Sequence, residues 1–131
     1  MERSIERLAD EFVAAVETGD LDAVRTSLYA PDAEIWHNTD DRVIGPEENL
    51  RVLGWLTGTL RDMRYTEIRR RPTPDGYVQQ HVLRGVVPDG TELALRACFI
   101  VTVKDGRITR LDEYLDPAQS RCLDPWRPAK R

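Results

Sequence analysis

The hydrophobic pattern changes period partway along the chain. Ile5, Leu8, Phe12, Ala15 and Val16 recur at spacings of three and four, with Glu and Arg between them. That spacing predicts an amphipathic helix. Gly19 marks its stop, and Asp20 is an N-cap for a second short helix with Leu21, Val24 and Leu28 on one side. Ala30-Pro31-Asp32 breaks that helix, because proline resists helical continuation and biases its predecessor to extended geometry. The run AEIWHN, Ala33 to Asn38, alternates briefly and predicts a short strand. Gly45-Pro46-Glu47-Glu48 opens a third helix, with proline in the first turn and two acids complementing the helix dipole. Its apolar residues from Leu50 to Leu60 cover a wide face, so substantial burial is expected.

From Met63 onward the period is two. Strands are predicted over 63–71, 77–87, 92–103 and 107–115, separated by Pro72-Thr73-Pro74-Asp75-Gly76, Asp89-Gly90 and Asp105-Gly106. An Asp-Gly pair between apolar runs is a strong hairpin signal, since a type I′ turn needs positive φ at both central positions. Helices followed by a four-stranded antiparallel meander describe an α+β domain with helices on one face of the sheet. One domain over residues 1–118 is expected, with a surface tail over 119–131 in which Trp126 is an anchor.

Two-residue loops at both Asp-Gly turns would pair His81 with Cys98, and Cys98 with Glu113. Directly opposed residues share a face. The expected row is therefore His81, Cys98 and Glu113, with Leu83, Ile100, Leu111 and Leu115 around it and Arg96 near one end. The other face would carry Val78, Val82, Val86, Leu93, Leu95, Ala97, Phe99, Val101 and Tyr114. Two apolar faces imply that one is covered by helices and the other by a second copy, a homodimer through the outer sheet face. One β-bulge would exchange the faces.

Composition narrows the function classes. A chain of 131 residues, 40% hydrophobic and 32% charged, is an ordinary globular composition. A net charge of −4 gives no global attraction to nucleic acid or to an anionic membrane, so neither is expected as a partner. The run Arg69-Arg70-Arg71 reads as the solvated end of a strand, with a polyanion patch as the alternative. No apolar run reaches membrane-spanning length, and the charged N-terminus lacks a signal-peptide pattern, so a cytoplasmic address is expected. Cys98 and Cys122 have no zinc-like spacing, so no metal or other cofactor is expected, and a disulfide is unexpected.

The segments FVAAVETGDLDAVRTSLYAPDAEIWHN and VKDGRITRLDEYLD resemble the SnoaL-like branch of the nuclear-transport-factor-2-like superfamily over residues 5–118. The resemblance implies a cone: a curved antiparallel sheet wrapped around three N-terminal helices, a ligand pocket in its mouth, and frequent dimerisation through the outer sheet face. Ketosteroid isomerases of that superfamily use a tyrosine in the first helix, an aspartate base after the first strand and a protonated aspartate on a later strand. The matching positions here are Phe12, His37 and Cys98. Phe12 cannot donate to an oxyanion and Cys98 donates weakly, which argues against steroid isomerisation. His37 could serve as the base, as in polyketide cyclases of SnoaL-like type. Limonene-epoxide hydrolases are similar at EYLD, where Glu113 matches one aspartate. Asn38 and Trp36 then lie near the water-binding pair, while His81 and Leu83 stand where that family has an arginine and its second aspartate.

The candidate catalytic residues are His37, His81, Glu113, Arg96 and Asn38, with His37 or His81 moving a proton and Glu113 orienting or sharing it. Phe12, Trp36, Trp55, Leu83, Cys98, Ile100, Leu111 and Leu115 are expected to line the pocket. Bland readings stand beside these: a capping His37, an Asx turn at Asn38, an Arg96 salt bridge to Glu92 or Asp116, and a packing role for Cys98. Two function classes remain open. One is a cofactor-independent cyclase, isomerase or hydrolase acting on a small apolar oxygenated molecule. The other is a non-catalytic ligand-binding or interaction domain.

Overall fold

The computed structural model describes residues 3–129, so residues 1–2 and 130–131, at the ends of the expected domain and tail, lie outside the described residues. Helix α1 spans Ile5–Thr18; the Ser4 side chain accepts from the Arg7 amide at its start, and Gly19 closes it at φ 73°. A short α2, Leu21–Ala23, is N-capped by Asp20 and passes into a wider π turn over Val24–Leu28. Strand β1 covers Tyr29–His37 and β2 covers Arg42–Ile44. Helix α3, Pro46–Thr59, precedes β3 (Arg61–Thr73), β4 (Gly76–Val86), β5 (Glu92–Lys104) and β6 (Arg107–Leu115).

Six strands form one curved, unclosed sheet in the order β2-β1-β6-β5-β4-β3. The meander is antiparallel, as its turns imply, whereas β1 joins β6 in parallel and β2 extends the edge beyond it. Neither β2 nor the parallel pairing is written in the alternation. Strand β1 also begins four residues before the expected start, with Pro31 in an interval where its register against β6 shifts. Helix α1 buries Leu8, Phe12 and Val16 against the sheet. Helix α3 is less buried than expected: Asn49 and Leu50 are its fully buried residues, and Val52 is exposed.

Both sheet registers differ by one residue from those expected. Pro88 has no N–H and cannot complete the hydrogen-bonded pair that closes a two-residue hairpin. The closing pair is therefore Val87 with Thr91, leaving Pro88-Asp89-Gly90 as a three-residue loop with Gly90 at φ 92°. The second hairpin does turn tightly at Asp105 and Gly106, both with positive φ. Thr109 is then an extra residue in β6, because Val103 pairs with Ile108 but Thr102 pairs with Arg110. Cys98 thus faces Gln80 and Tyr114, while Phe99 faces Gln79 and Glu113.

The chain after β6 forms a 3₁₀ segment, Pro117–Trp126, that buries Ser120 and Leu123. Trp55 Nε1 donates to the Trp126 carbonyl at 2.7 Å, and the Arg127 guanidinium lies over the Trp55 ring.

Gly76 tests the packing of the meander. A Cβ there would lie 1.8 Å from the Val101 carbonyl oxygen, which belongs to backbone and cannot rotate away. Gly76→Ala is expected to cost about 1–3 kcal/mol, read as a lowered midpoint in urea denaturation. Gly58→Ala, in α3 where added carbon meets nothing within 4 Å, is the control, expected to leave stability unchanged or to raise it by up to about 1 kcal/mol.

Candidate active site on the concave face

One row of residues crosses five strands on the helix-facing side of the sheet. His37 pairs with Glu113, Glu113 with Phe99, Phe99 with Gln79, and Gln79 with Arg70. Arg70 reaches this row because β3 shifts register between Thr66 and Arg69, with Glu67 at φ 53°. His81 lies two residues beyond Gln79 on the same face. Phe12 contacts Phe99 and Tyr29, which places the row beneath α1.

At one end His37 Nε2 lies 2.9 Å from Glu113 Oε1, an ion pair whenever the imidazole is protonated, with 25% and 16% of the two side chains still exposed. Burial pulls the His37 pKa down, but the Glu113 hydrogen bond and charge, with help from Asp40, outweigh it and leave it raised. Asn38 supports the pair from behind. Its side chain exchanges two hydrogen bonds with the Leu115 backbone, and its amide donates to the Glu113 carbonyl. Asn38 is thus a clamp between the ends of β1 and β6, which fixes the Glu113 backbone.

Further along, His81 is buried, with its ring 4.5 Å from Phe99 and 4.9 Å from Tyr65 in edge-on contacts. Burial lowers its pKa; the Glu113 charge opposes that shift and the Arg70 charge adds to it. His81 Nδ1 lies 3.0 Å from Gln79 Nε2. Gln79 Oε1 in turn accepts from Arg70 Nε at 2.9 Å. The Arg70 side chain, only 8% exposed, is held by Glu6 and Asp10 of α1, each at 2.7 Å. The arginine run is therefore not uniformly solvated, because its middle member turns inward.

Of the expected site residues, His37, His81, Glu113, Leu83 and Leu111 share the concave face, with Leu115 beside Ala97 at its edge. Arg96, Cys98 and Ile100 lie on the opposite face, because the two one-residue shifts turn them outward. Arg96 makes backbone contacts to Gln119 and, among the described residues, no ion pair with Glu92 or Asp116. The Cys98 thiol is pushed up by burial and by the Glu113 charge, which keeps it protonated. Trp36 also faces outward; its ring meets Tyr114 edge-on and its Nε1 donates to Asp41. Phe12 is core, and Trp55 holds the C-terminal segment. Gln79, Arg70 and Tyr65 were not among the expected site residues. The i, i+2 spacing of Gln79 and His81 was the available signal, since both must face the same way in a strand.

Two surface depressions lie elsewhere. One of about 580 Å³ opens on the outer sheet face between Ile68, Gln80, Arg96, Cys98 and Tyr114. Another, about 460 Å³, lies between Arg3, Arg7, Glu11 and Arg107. The first also borders His81, and neither is lined by His37 or Glu113.

Glu113→Gln removes the charge that holds the His37 proton. The His37 pKa, above its ordinary 6.5 in the parent, is expected to fall in the variant because burial is then opposed less. NMR titration of the imidazole carbon-bound protons checks this; an unchanged midpoint would show that the pair is not formed in solution.

Comparison with known proteins places this arrangement. Residues 9–111 match the model of the SnoaL-like domain. No curated protein matches the chain. Among solved structures, IdmH from Streptomyces antibioticus, a proposed polyketide cyclase, superposes with a TM-score of 0.79 at 22% identity over 89% of this chain and 95% of its own. A proposed polyketide cyclase from Xanthomonas campestris pv. campestris gives 0.77 at 22% identity, over 90% and 94%. An epoxide hydrolase of M. tuberculosis, like limonene-epoxide hydrolase, gives 0.69 at 21% identity, over 86% and 83%. These likenesses establish a common fold, and the match across most of its length makes this chain a member of the SnoaL-like domain family.

Proposed function

We propose that the protein is a cofactor-independent general acid/base enzyme, a cyclase, isomerase or hydrolase, acting on a small apolar oxygenated molecule at the concave face. The observation that carries this reading is the 2.9 Å approach of His37 to Glu113, partly open to solvent on a face that also carries Phe99, Tyr65, Leu83 and Leu111 beside the Arg70, Gln79 and His81 chain. With Nε2–H committed to Glu113, the neutral imidazole carries its lone pair on Nδ1. That atom is the base, and Glu113 stabilises the imidazolium formed when Nδ1 takes a proton. Return of the same proton to a different atom of the intermediate completes an isomerisation or an aldol closure. Removal of a proton from water by Nδ1 would instead serve hydrolysis. The names borne by the structural neighbours, polyketide cyclase and epoxide hydrolase, support both branches.

A turnover screen over enol-ketones, polyketide-like esters and epoxides tests the reading. His37→Ala is expected to lower turnover by about 10²-fold or more, the usual worth of a positioned proton-transfer group. Activity should rise with pH through the His37 ionisation, since the base works unprotonated, and Glu113→Gln should move that rise to lower pH. Catalysis unaffected by His37→Ala would refute the assignment. A second reading, a ligand-binding domain without catalysis, is favoured by Phe12, which fills the position where ketosteroid isomerases have a donor and is itself buried. On that reading the screen finds binding without turnover.

We also propose that a second copy covers the outer sheet face. Ile68, Ile100 and Tyr114 are exposed there at 38%, 42% and 46%, with Arg69, Arg96 and Glu67 around the same depression. Mixed charges around an apolar centre suit a twofold, self-complementary contact. Ile100→Asp should convert a dimer into a monomer in sedimentation; a wild-type monomer at high micromolar concentration refutes the proposal.

A further inference from the structure

Gln79 is fully buried in mid-strand, and both of its amide atoms are engaged. A guanidinium only donates, so the Gln79 atom 2.9 Å from Arg70 Nε is its carbonyl oxygen. The amide nitrogen therefore faces His81 Nδ1 and donates to it. An Nδ1 that accepts carries no proton, which leaves the proton of the neutral ring on Nε2. The groups around the imidazole agree. Phe99 and Tyr65 present ring edges and faces, and the Arg70 charge opposes protonation. Glu113 alone favours it, from roughly two strand spacings away, about 10 Å.

Nε2 has no hydrogen-bond partner among the described residues. Yet the one fully enclosed side-chain polar atom left unpartnered there is the Tyr77 hydroxyl. His81 accordingly keeps a small exposure of 4%, and its ring lies on the side of the sheet where His37 and Glu113 lie. We infer that Arg70 and Gln79 hold His81 as a neutral imidazole whose Nε2–H is a hydrogen-bond donor to an oxygen atom of a ligand on the concave face. This rests on the proposal that the concave face is the ligand site. Arg70 and Gln79 are positioning residues that act through His81. A neutral donor suits an oxygen that gains negative charge as His37 removes a proton, because it stabilises the charge without first giving up its own proton.

Long-range proton–nitrogen correlation spectra of ¹⁵N-labelled protein read the tautomer directly. Expected at pH 7 is a His81 ring with protonated Nε2 and bare Nδ1; an Nδ1-protonated or doubly protonated ring overturns the inference, and this spectrum needs no variant. Gln79→Glu keeps an acceptor for Arg70 but offers His81 Nδ1 a carboxylate instead of a donor, so Nδ1 should become protonated. If the tautomer is unchanged in a folded variant, Gln79 does not set it. The ligand arm uses 2-naphthol, an apolar enol mimic. Saturation should displace the Nε2 resonance, and His81→Phe, which keeps an aromatic ring and removes the donor, should weaken binding roughly fivefold to tenfold, the worth of one hydrogen bond. If 2-naphthol displaces the His37 signals and leaves those of His81 unmoved, the donor role is wrong and the His37–Glu113 reading stands. If neither histidine responds, the concave face is not the ligand site.

Discussion

Inter-strand register is the constraint on which the polar chemistry of this protein depends. Side chains alternate across a strand, so one extra residue moves every later side chain to the other side of the sheet. Three irregularities, at Glu67, at the Pro88-Asp89-Gly90 loop and at Thr109, together align Arg70, Gln79, Phe99, Glu113 and His37 in one row. The row lies beneath α1, where unpartnered polar groups would be costly. Its polar members meet that cost by bonding to one another or to the acids of the helix: Arg70 to Glu6 and Asp10, Gln79 to Arg70 and His81, Glu113 to His37.

The same surroundings drive the two histidines in opposite directions. Burial disfavours charge on both. His37 touches a carboxylate and gains more from it than burial removes, whereas His81 receives an amide donor and has an arginine nearby. Their contributions to folding stability consequently have opposite pH dependence. The raised His37 adds stability that is fully present below its unfolded pKa of about 6.5 and is lost as pH rises through its higher folded value. The lowered His81 instead costs stability as pH falls from about 6.5 toward its folded value, because the unfolded chain binds that proton more readily.

The helices and the four strands of the meander were legible in kind from the chain, whereas β2, the parallel contact of β1 with β6 and the 3₁₀ segment after β6 were not, and the assignment of residues to the two sheet faces was partly exchanged. Helix α1, the strands of the meander and the tight turn at Asp105-Gly106 follow from local chemistry: apolar spacing, capping residues and residues tolerant of positive φ. The Asp89-Gly90 turn was legible too, but its length was not, although Pro88 held the clue in its missing N–H. The bulge at Thr109 and the shift at Glu67 carry no comparable local signature. Arg96, Cys98 and Ile100 were expected beside Glu113 and lie on the opposite face for that reason. In the Arg69-Arg70-Arg71 run, composition could not show which member turns inward, since the shift at Glu67 decides it.

By itself the sequence determined an α+β chain with a helix-covered meander, and it supplied His37, His81 and Glu113 as the residues able to carry chemistry. Periodicity and turn propensity are local, so they can be read from neighbours in the chain. Tertiary structure alone decided that His37 meets Glu113, because a parallel contact between β1 and β6 joins residues 76 positions apart with no turn between them to announce it. It also decided that Gln79, Arg70 and two acids of α1 stand behind His81. Such partners are selected by burial and hydrogen-bond satisfaction across the packed face, and neither quantity exists until the strands have found their register.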